Sequence, residues 1–235
     1  MGEELGRNDR VATGFSSLDE AIGGGLPRGF NVLLVGPPIS SKEIFSKKFT
    51  YTGILQGDAC IFTTTNRTAE EQEREFSELN MSIDEAKRDG RIVFIDMFSR
   101  TIGLETEELP YIRRASSIMD LSGYNVIVRD LLKEFWMRHK PVRFVFDTLT
   151  TLFTYNKPET VSRFLHALFG RLRASRSNGL FLFDKETHPQ EVEHLLITLV
   201  DGVLEMKKEG GGDYIRYLGR RGVSFTTDWL KYQMD

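Results

Sequence analysis

Chemistry in this chain would begin at Gly36-Pro37-Pro38-Ile39-Ser40-Ser41-Lys42-Glu43, which lies between an apolar run and a helical pattern. A loop that wraps phosphate needs Gly, four residues, then Gly-Lys and Ser or Thr. Backbone N–H groups then surround the anion, the lysine neutralises it and the hydroxyl holds magnesium. Gly36 and Lys42 stand at matching positions, but the second glycine is replaced by Ser41 and the hydroxyl position is Glu43. Ile39 puts a further Cβ into backbone that has to approach phosphate closely. The amides of Ser40, Ser41, Lys42 and Glu43 remain as anion donors. A carboxylate at Glu43 about 4 Å from a phosphate oxygen would repel it by roughly 4 kcal/mol at an effective dielectric near 20. Direct ligation of magnesium by Glu43 would recover part of that loss.

A second chemical candidate is Asp147, which closes the apolar run Arg143-Phe144-Val145-Phe146. An acid at the end of a buried strand beside such a loop can order magnesium. The structural alternatives are that Asp147 caps whatever follows its strand, that Lys42 is a solvated helix-start lysine, and that Gly23-Gly24-Gly25 only stops a helix. The histidines (His139, His166, His188, His194) show no zinc-like spacing with the single cysteine. Cys60 lies in an apolar run and reads as a buried structural thiol. Arg163, Arg171, Arg173 and Arg176 share a helical face, read as a solvated surface or a subunit contact, with nucleic acid or an acidic partner as the alternative.

These residues need positioning elements, and the hydrophobic pattern supplies them. Strands are predicted over residues 31–35, 59–64, 91–96, 142–146 and 180–183, separated by helices after Glu43, from Ala69 with Thr68 as N-cap, from Gly123, from Pro158 and over 192–199. A short helix capped by Ser16 or Ser17 precedes the first strand. Residues 98–123 form an excursion with a short helix around Ile112 to Met119. Residues 202–206 and 214–218 flank Glu209-Gly210-Gly211-Gly212-Asp213 as a hairpin. Alternating strands and helices give an α/β fold with a mainly parallel sheet flanked by helices, and the hairpin adds antiparallel strands.

With 235 residues and 40% apolar composition, one domain is expected over residues 11–235, after a flexible tail at 1–10. No apolar run is long enough to span a membrane, and the polar start lacks a signal-peptide pattern, so the expected location is cytoplasmic. The net charge of −3 gives no global attraction to nucleic acid.

The combination of Thr13-Gly14 through Leu18-Asp19, Gly23-Gly24-Gly25-Leu26-Pro27-Arg28-Gly29, the loop at Gly36 to Glu43 and Phe146-Asp147-Thr148-Leu149-Thr150 resembles the KaiC-like and RadA-like branch of the RecA superfamily. Leu199-Val200-Asp201-Gly202-Val203 is similar to that family's late strand. The resemblance covers about residues 11–225. It implies a three-layer RecA-type core that binds ATP and magnesium between neighbouring subunits, through Gly36, Ser40, Ser41, Lys42, Glu43, Asp147 and Arg221, with Asp147 ordering the metal. The departures imply a degenerate Walker A loop. Thr65 and Asn66 occupy the place of the catalytic glutamates, Gly219 replaces the lysine of the late Lys-x-Arg-Gly segment, and Asp184-Lys185 replaces a polar sensor. The expectation is a regulatory or scaffolding subunit with ATP binding weak or lost, in a homo-oligomer or beside a related active ATPase. The alternatives are a divergent ATPase with Glu43 and Asp147 on magnesium, and a DNA-binding recombination accessory working through Thr187 to Glu193 or the arginine-bearing helix.

Overall fold

In the computed structural model, which describes residues 9–219 and 226–232, strand alternation sends every second side chain into one of two cores. Leu33, Val35, Ile61, Phe144, Phe146, Phe181 and Phe183 enter one. Val32, Leu34, Cys60, Phe62, Val145, Leu180 and Leu182 enter the other. Because both faces are buried, the strands read as continuous apolar runs, as expected of a covered parallel sheet.

In chain order the elements are β1 (Arg10–Val11), α1 (Ser16–Ala21), β2 (Leu26–Pro27), β3 (Asn31–Gly36), α2 (Lys42–Leu55), β4 (Ala59–Thr64), α3 (Ala69–Glu78), α4 (Asp84–Arg88), β5 (Ile92–Asp96) and β6 (Ile112–Arg114). There follow α5 (Leu121–Met137), β7 (Val142–Asp147), α6 (Leu149–Tyr155), α7 (Pro158–Ala174), β8 (Asn178–Asp184), α8 (Gln190–Leu199), β9 (Gly202–Glu209), β10 (Gly212–Gly219) and β11 (Thr226–Tyr232). Among the described residues nine strands form the main sheet in the order β11-β10-β9-β3-β8-β7-β4-β5-β6, and β1 pairs with β2 separately. From β9 to β6 neighbours are parallel; β10 and β11 are antiparallel additions. Helices α5 to α8 cover one face and α1 to α4 the other. This is the expected α/β architecture of a central parallel sheet between helical layers with an antiparallel hairpin.

Local chemistry explains several boundaries. Thr68 and Glu71 form a reciprocal capping box at the start of α3, and Pro158 opens α7, where its missing N–H has no partner to lose. The Thr13-Gly14 lead-in is tied down by Asp19, whose carboxylate accepts from the Thr13 amide at 2.8 Å and from Gly14. Gly25 has φ +114 and a Cβ there would lie 2.3 Å from the Val11 carbonyl oxygen, so the triple glycine lets β1 and β2 close against each other.

Three local expectations need correction, and one helix is an addition. The segment expected to be helical around Ile112 to Met119 contains the strand β6 instead, because Ile112 and Arg114 alternate inward and pair with β5. Helix α5 starts at Leu121, before Gly123, since Asp120 is the N-cap and accepts from the Gly123 amide. Neither Ser16 nor Ser17 caps α1; Phe15 holds that position with no side-chain hydrogen bond. Helix α6 was not anticipated, and Thr148 caps it by accepting from the Thr150 amide.

Candidate phosphate-binding site

Parallel pairing places the C-terminal ends of five adjacent strands, β3, β8, β7, β4 and β5, on one rim, where ligands of open α/β sheets are held. Gly36 of β3 lies opposite Asp184 of β8, and Asp147 of β7 opposite Thr64 of β4. Thr64 is also opposite Asp96 of β5. The sheet therefore brings the 36–43 loop and three strand-terminal acids to the same edge.

The loop runs from the end of β3 into the start of α2 and carries Ile39, Ser40 and Ser41 along it. Ile39 has φ +54, a left-handed conformation that glycine adopts freely and a β-branched residue adopts only with strain. Its side chain is 92% exposed, so no packing offsets the strain. The amides of Ser40 and Ser41 make no hydrogen bond among the described residues. Lys42 is only 4% exposed. Its ammonium donates to the Gly36 carbonyl at 3.2 Å, to the Pro37 carbonyl and to Ser40 Oγ at 2.8 Å. It also forms an ion pair with Asp184 at 3.0 Å. Ser41 Oγ donates to the Asp213 carboxylate of β10. Two carboxylates thus sit against the loop, both from strands far away in sequence.

Helix α2 connects the loop to α3 through charge. Glu43 faces Arg67 at 3.1 Å; Arg67 also pairs with Glu75, and Glu75 with Lys47 at 2.7 Å. Lys47 is buried, with its ammonium 5.8 and 5.9 Å from the Phe62 and Phe76 rings. Asp147 is buried beside this chain and accepts from Gln72 Nε2 at 3.3 Å. Burial pushes its carboxyl up to about 6, opposed by the nearby Lys47 ammonium and reinforced by Glu43. Gln72 also donates to Thr64 Oγ1 at 3.3 Å. Thr65 donates its hydroxyl to the Asp147 and Thr148 carbonyls. Asn66 lines a cleft of about 390 Å³ with Arg67, Glu71 and Glu75, and its Oδ1 accepts no hydrogen bond from the described residues.

Of the candidate site residues, Gly36, Ser40, Ser41, Lys42 and Glu43 share one loop and helix start, and Asp147 lies within electrostatic reach of Glu43. Arg221 lies outside the described residues. Lys42 is not a solvated lysine and Asp147 is not the cap of α6, so both structural alternatives are excluded by burial and by Thr148. Sequence reasoning noted Asp184 only as a replaced sensor and missed Lys47, Arg67, Gln72, Glu75 and Asp213 as members of the network. No spacing signal joins them, because the contacts arise from strand order. Elsewhere, Cys60 is buried with its thiol pushed up to about 12 by desolvation. The buried Asp96 binds Arg114 at 2.6 Å and the amides of Phe98 and Ser99, which anchors the excursion after β5.

The profile of the ATPase family KaiC matches residues 11–223. Among curated proteins, the UPF0273 protein of Methanopyrus kandleri is 25% identical over 203 residues, covering 84% of this chain and 76% of that protein. The UPF0273 proteins of Pyrobaculum aerophilum and Pyrococcus furiosus are 28% and 27% identical over 61% and 63% of this chain. Those two matches span only 49% and 58% of the relatives' own lengths. Among solved structures, the KaiC-like protein of Pyrococcus horikoshii OT3 superposes with a TM-score of 0.75 at 18% identity, over 96% of this chain and 95% of that one. At that identity the likeness concerns the fold.

Proposed function

The chain belongs to the KaiC family of ATPases, with the P-loop fold of the RecA superfamily, and from that premise we propose that its degenerate loop serves a regulatory or scaffolding subunit with little or no ATP turnover. The observation that carries this reading is the engagement of Lys42. In a working loop that ammonium meets phosphate; here it meets Asp184 at 3.0 Å and three loop oxygens. A nucleotide would have to separate the part-buried Lys42–Asp184 ion pair and then lie beside the released carboxylate. Two like charges about 4 Å apart repel by roughly 4 kcal/mol at an effective dielectric near 20. Glu43 adds a second repulsive carboxylate, already paired with Arg67 at 3.1 Å.

The loop amides fit an anion, but Glu43 and Asp184 do not fit a fully ionised magnesium nucleotide. Thr65 and Asn66 supply no general base near neutral pH, so the attacking water has no activator at the position where the family carries glutamate. The site is better suited to holding the loop, β8 and β10 in one geometry than to hydrolysis. Assembly with itself or with a related active ATPase is the accompanying expectation.

Calorimetry with Mg-ATP on the wild type, on Asp184→Asn and on Ser41→Gly with Glu43→Thr tests the reading. The wild type is expected to give no turnover and weak or no heat, and the repaired loop to gain binding. Hydrolysis by the wild type that disappears in Lys42→Ala would overturn it. A thermal shift gives the same answer, since saturation at about 100 times Kd stabilises a fold by about 2.7 kcal/mol.

A further inference from the structure

Away from the loop, α5 and α7 form a surface that the reading above does not use. Trp136, near the end of α5, is 68% exposed, and its indole makes no hydrogen bond or ring contact among the described residues. Exposed tryptophans are uncommon on a surface with no partner, because the ring carries a large apolar area. The indole stands between two clefts that share it and Ser175. One, of about 290 Å³, is lined by Arg28, Lys140 and Arg176; the other, of about 400 Å³, by Arg129, Lys133 and Arg171. Neither cleft is lined by a carboxylate, in a chain with 34 acidic and 31 basic residues.

The positive charge is also mostly uncompensated. Arg129 pairs with Asp130 and Arg176 with Asp9. Among the described residues Arg171 donates only to the neutral Asn125, at 2.7 Å to its Oδ1 and also to its carbonyl. Arg28, Lys133 and Lys140 form no ion pair among the described residues. The arrangement is cationic groove, flat aromatic, cationic groove. Single-stranded nucleic acid carries the complementary alternation of phosphate, base and phosphate, with every base offering a face for stacking. An anionic membrane matches less well, because the cations lie in concave clefts on either side of the ring. An acidic peptide supplies the charge and lacks the regular planar group.

The geometry points to Trp136 as a stacking platform for single-stranded nucleic acid, with the backbone held by Arg28, Lys140 and Arg176 on one side and Arg129, Lys133 and Arg171 on the other. The site lies on the α5 and α7 surface, independent of the state of the 36–43 loop, and binding there requires no nucleotide.

Fluorescence anisotropy of a labelled oligo(dT) of about 16 nucleotides tests this at low and moderate salt. Trp136→Ala is expected to weaken binding by about 5- to 150-fold, the range for losing one stacked base, and Trp136→Phe to retain most of it. Lys133→Gln with Lys140→Gln is expected to lower the slope of log K against log salt by about 1.4, at about 0.7 per phosphate contact on a single strand. In a Trp229→Phe background, where Trp136 is the remaining tryptophan, bound oligo(dT) should quench the indole emission. These residues are exposed or half-buried, and unchanged far-ultraviolet circular dichroism and melting would show that the variants fold. No binding of oligo(dT) at low salt would overturn the proposal. So would binding insensitive to Trp136→Ala, or displacement of oligo(dT) by vesicles of anionic phospholipid or by polyglutamate at equal charge concentration.

Discussion

Replacing Asp147 with Asn should stabilise the protein at neutral and alkaline pH. The carboxyl is buried, and burial raises its pKa from 3.8 to about 6. Each pKa unit corresponds to about 1.4 kcal/mol, so the ionised form costs the fold about 3 kcal/mol once the pH exceeds both values. The folded state therefore retains its proton over a range in which the unfolded chain has lost it. Stability falls as pH rises from about 4 to above 6, and this contribution is absent below the unfolded value. Asn keeps an oxygen to accept from Gln72 Nε2 and carries no charge. Urea unfolding of wild type and variant across pH 3.5 to 8 should show nearly equal stabilities at the acid end. The variant should gain up to about 3 kcal/mol at pH 8. The difference between the two proteins isolates Asp147 from every other titrating group. A variant that is less stable at pH 8, or a difference that does not change with pH, would refute the reasoning that burial of this carboxylate outweighs its attraction to Lys47 and Arg67.

Ile39→Gly removes a left-handed isoleucine, worth about 1–2 kcal/mol, and adds unfolded-state freedom worth about 0.5–1, so a net gain near 0.5 kcal/mol is expected in the urea midpoint. A clear loss would mean that the exposed side chain has a stabilising contact. Arg143→Ala should destabilise by about 3–5 kcal/mol, because it strands Asp58, now paired at 2.8 Å, together with the Ala12 and Phe49 carbonyls. Arg143→Lys should recover little of this, since an ammonium does not reproduce the fork; full recovery would contradict it. Thr68→Ala should cost about 1 kcal/mol by opening the α3 capping box, measured by thermal or chemical unfolding.

Much of the architecture was legible because it depends on local regularities. The runs beginning at Asn31, Ala59, Val142 and Leu180 are short and nearly continuously apolar, as a strand covered on both faces requires; β8 begins two residues earlier, at Asn178. Thr68 and Pro158 announced their helices through capping chemistry. Where a local pattern was short, the reading failed. Ile112 to Arg114 has too few residues for a period to show, and pairing with β5 decides that it is a strand.

The place of the loop was readable from Gly36, Lys42 and Glu43, since residue type and spacing mark a candidate phosphate loop between a strand and a helix. Its present electrostatics were not. Asp184 and Asp213 reach Lys42 and Ser41 because β8 pairs with β3 and the β9–β10 hairpin lies on the other side. Likewise Lys47, Glu75 and Arg67 meet only after α2 and α3 pack on the same face, and burial between them raises the Asp147 carboxyl. The sequence alone determined most of the long strands and helices, the two-sided core and the residue types of the loop, which are properties of neighbouring residues. The tertiary structure decided which charges meet that loop and how deeply they are desolvated, because those depend on strand order and distance through space.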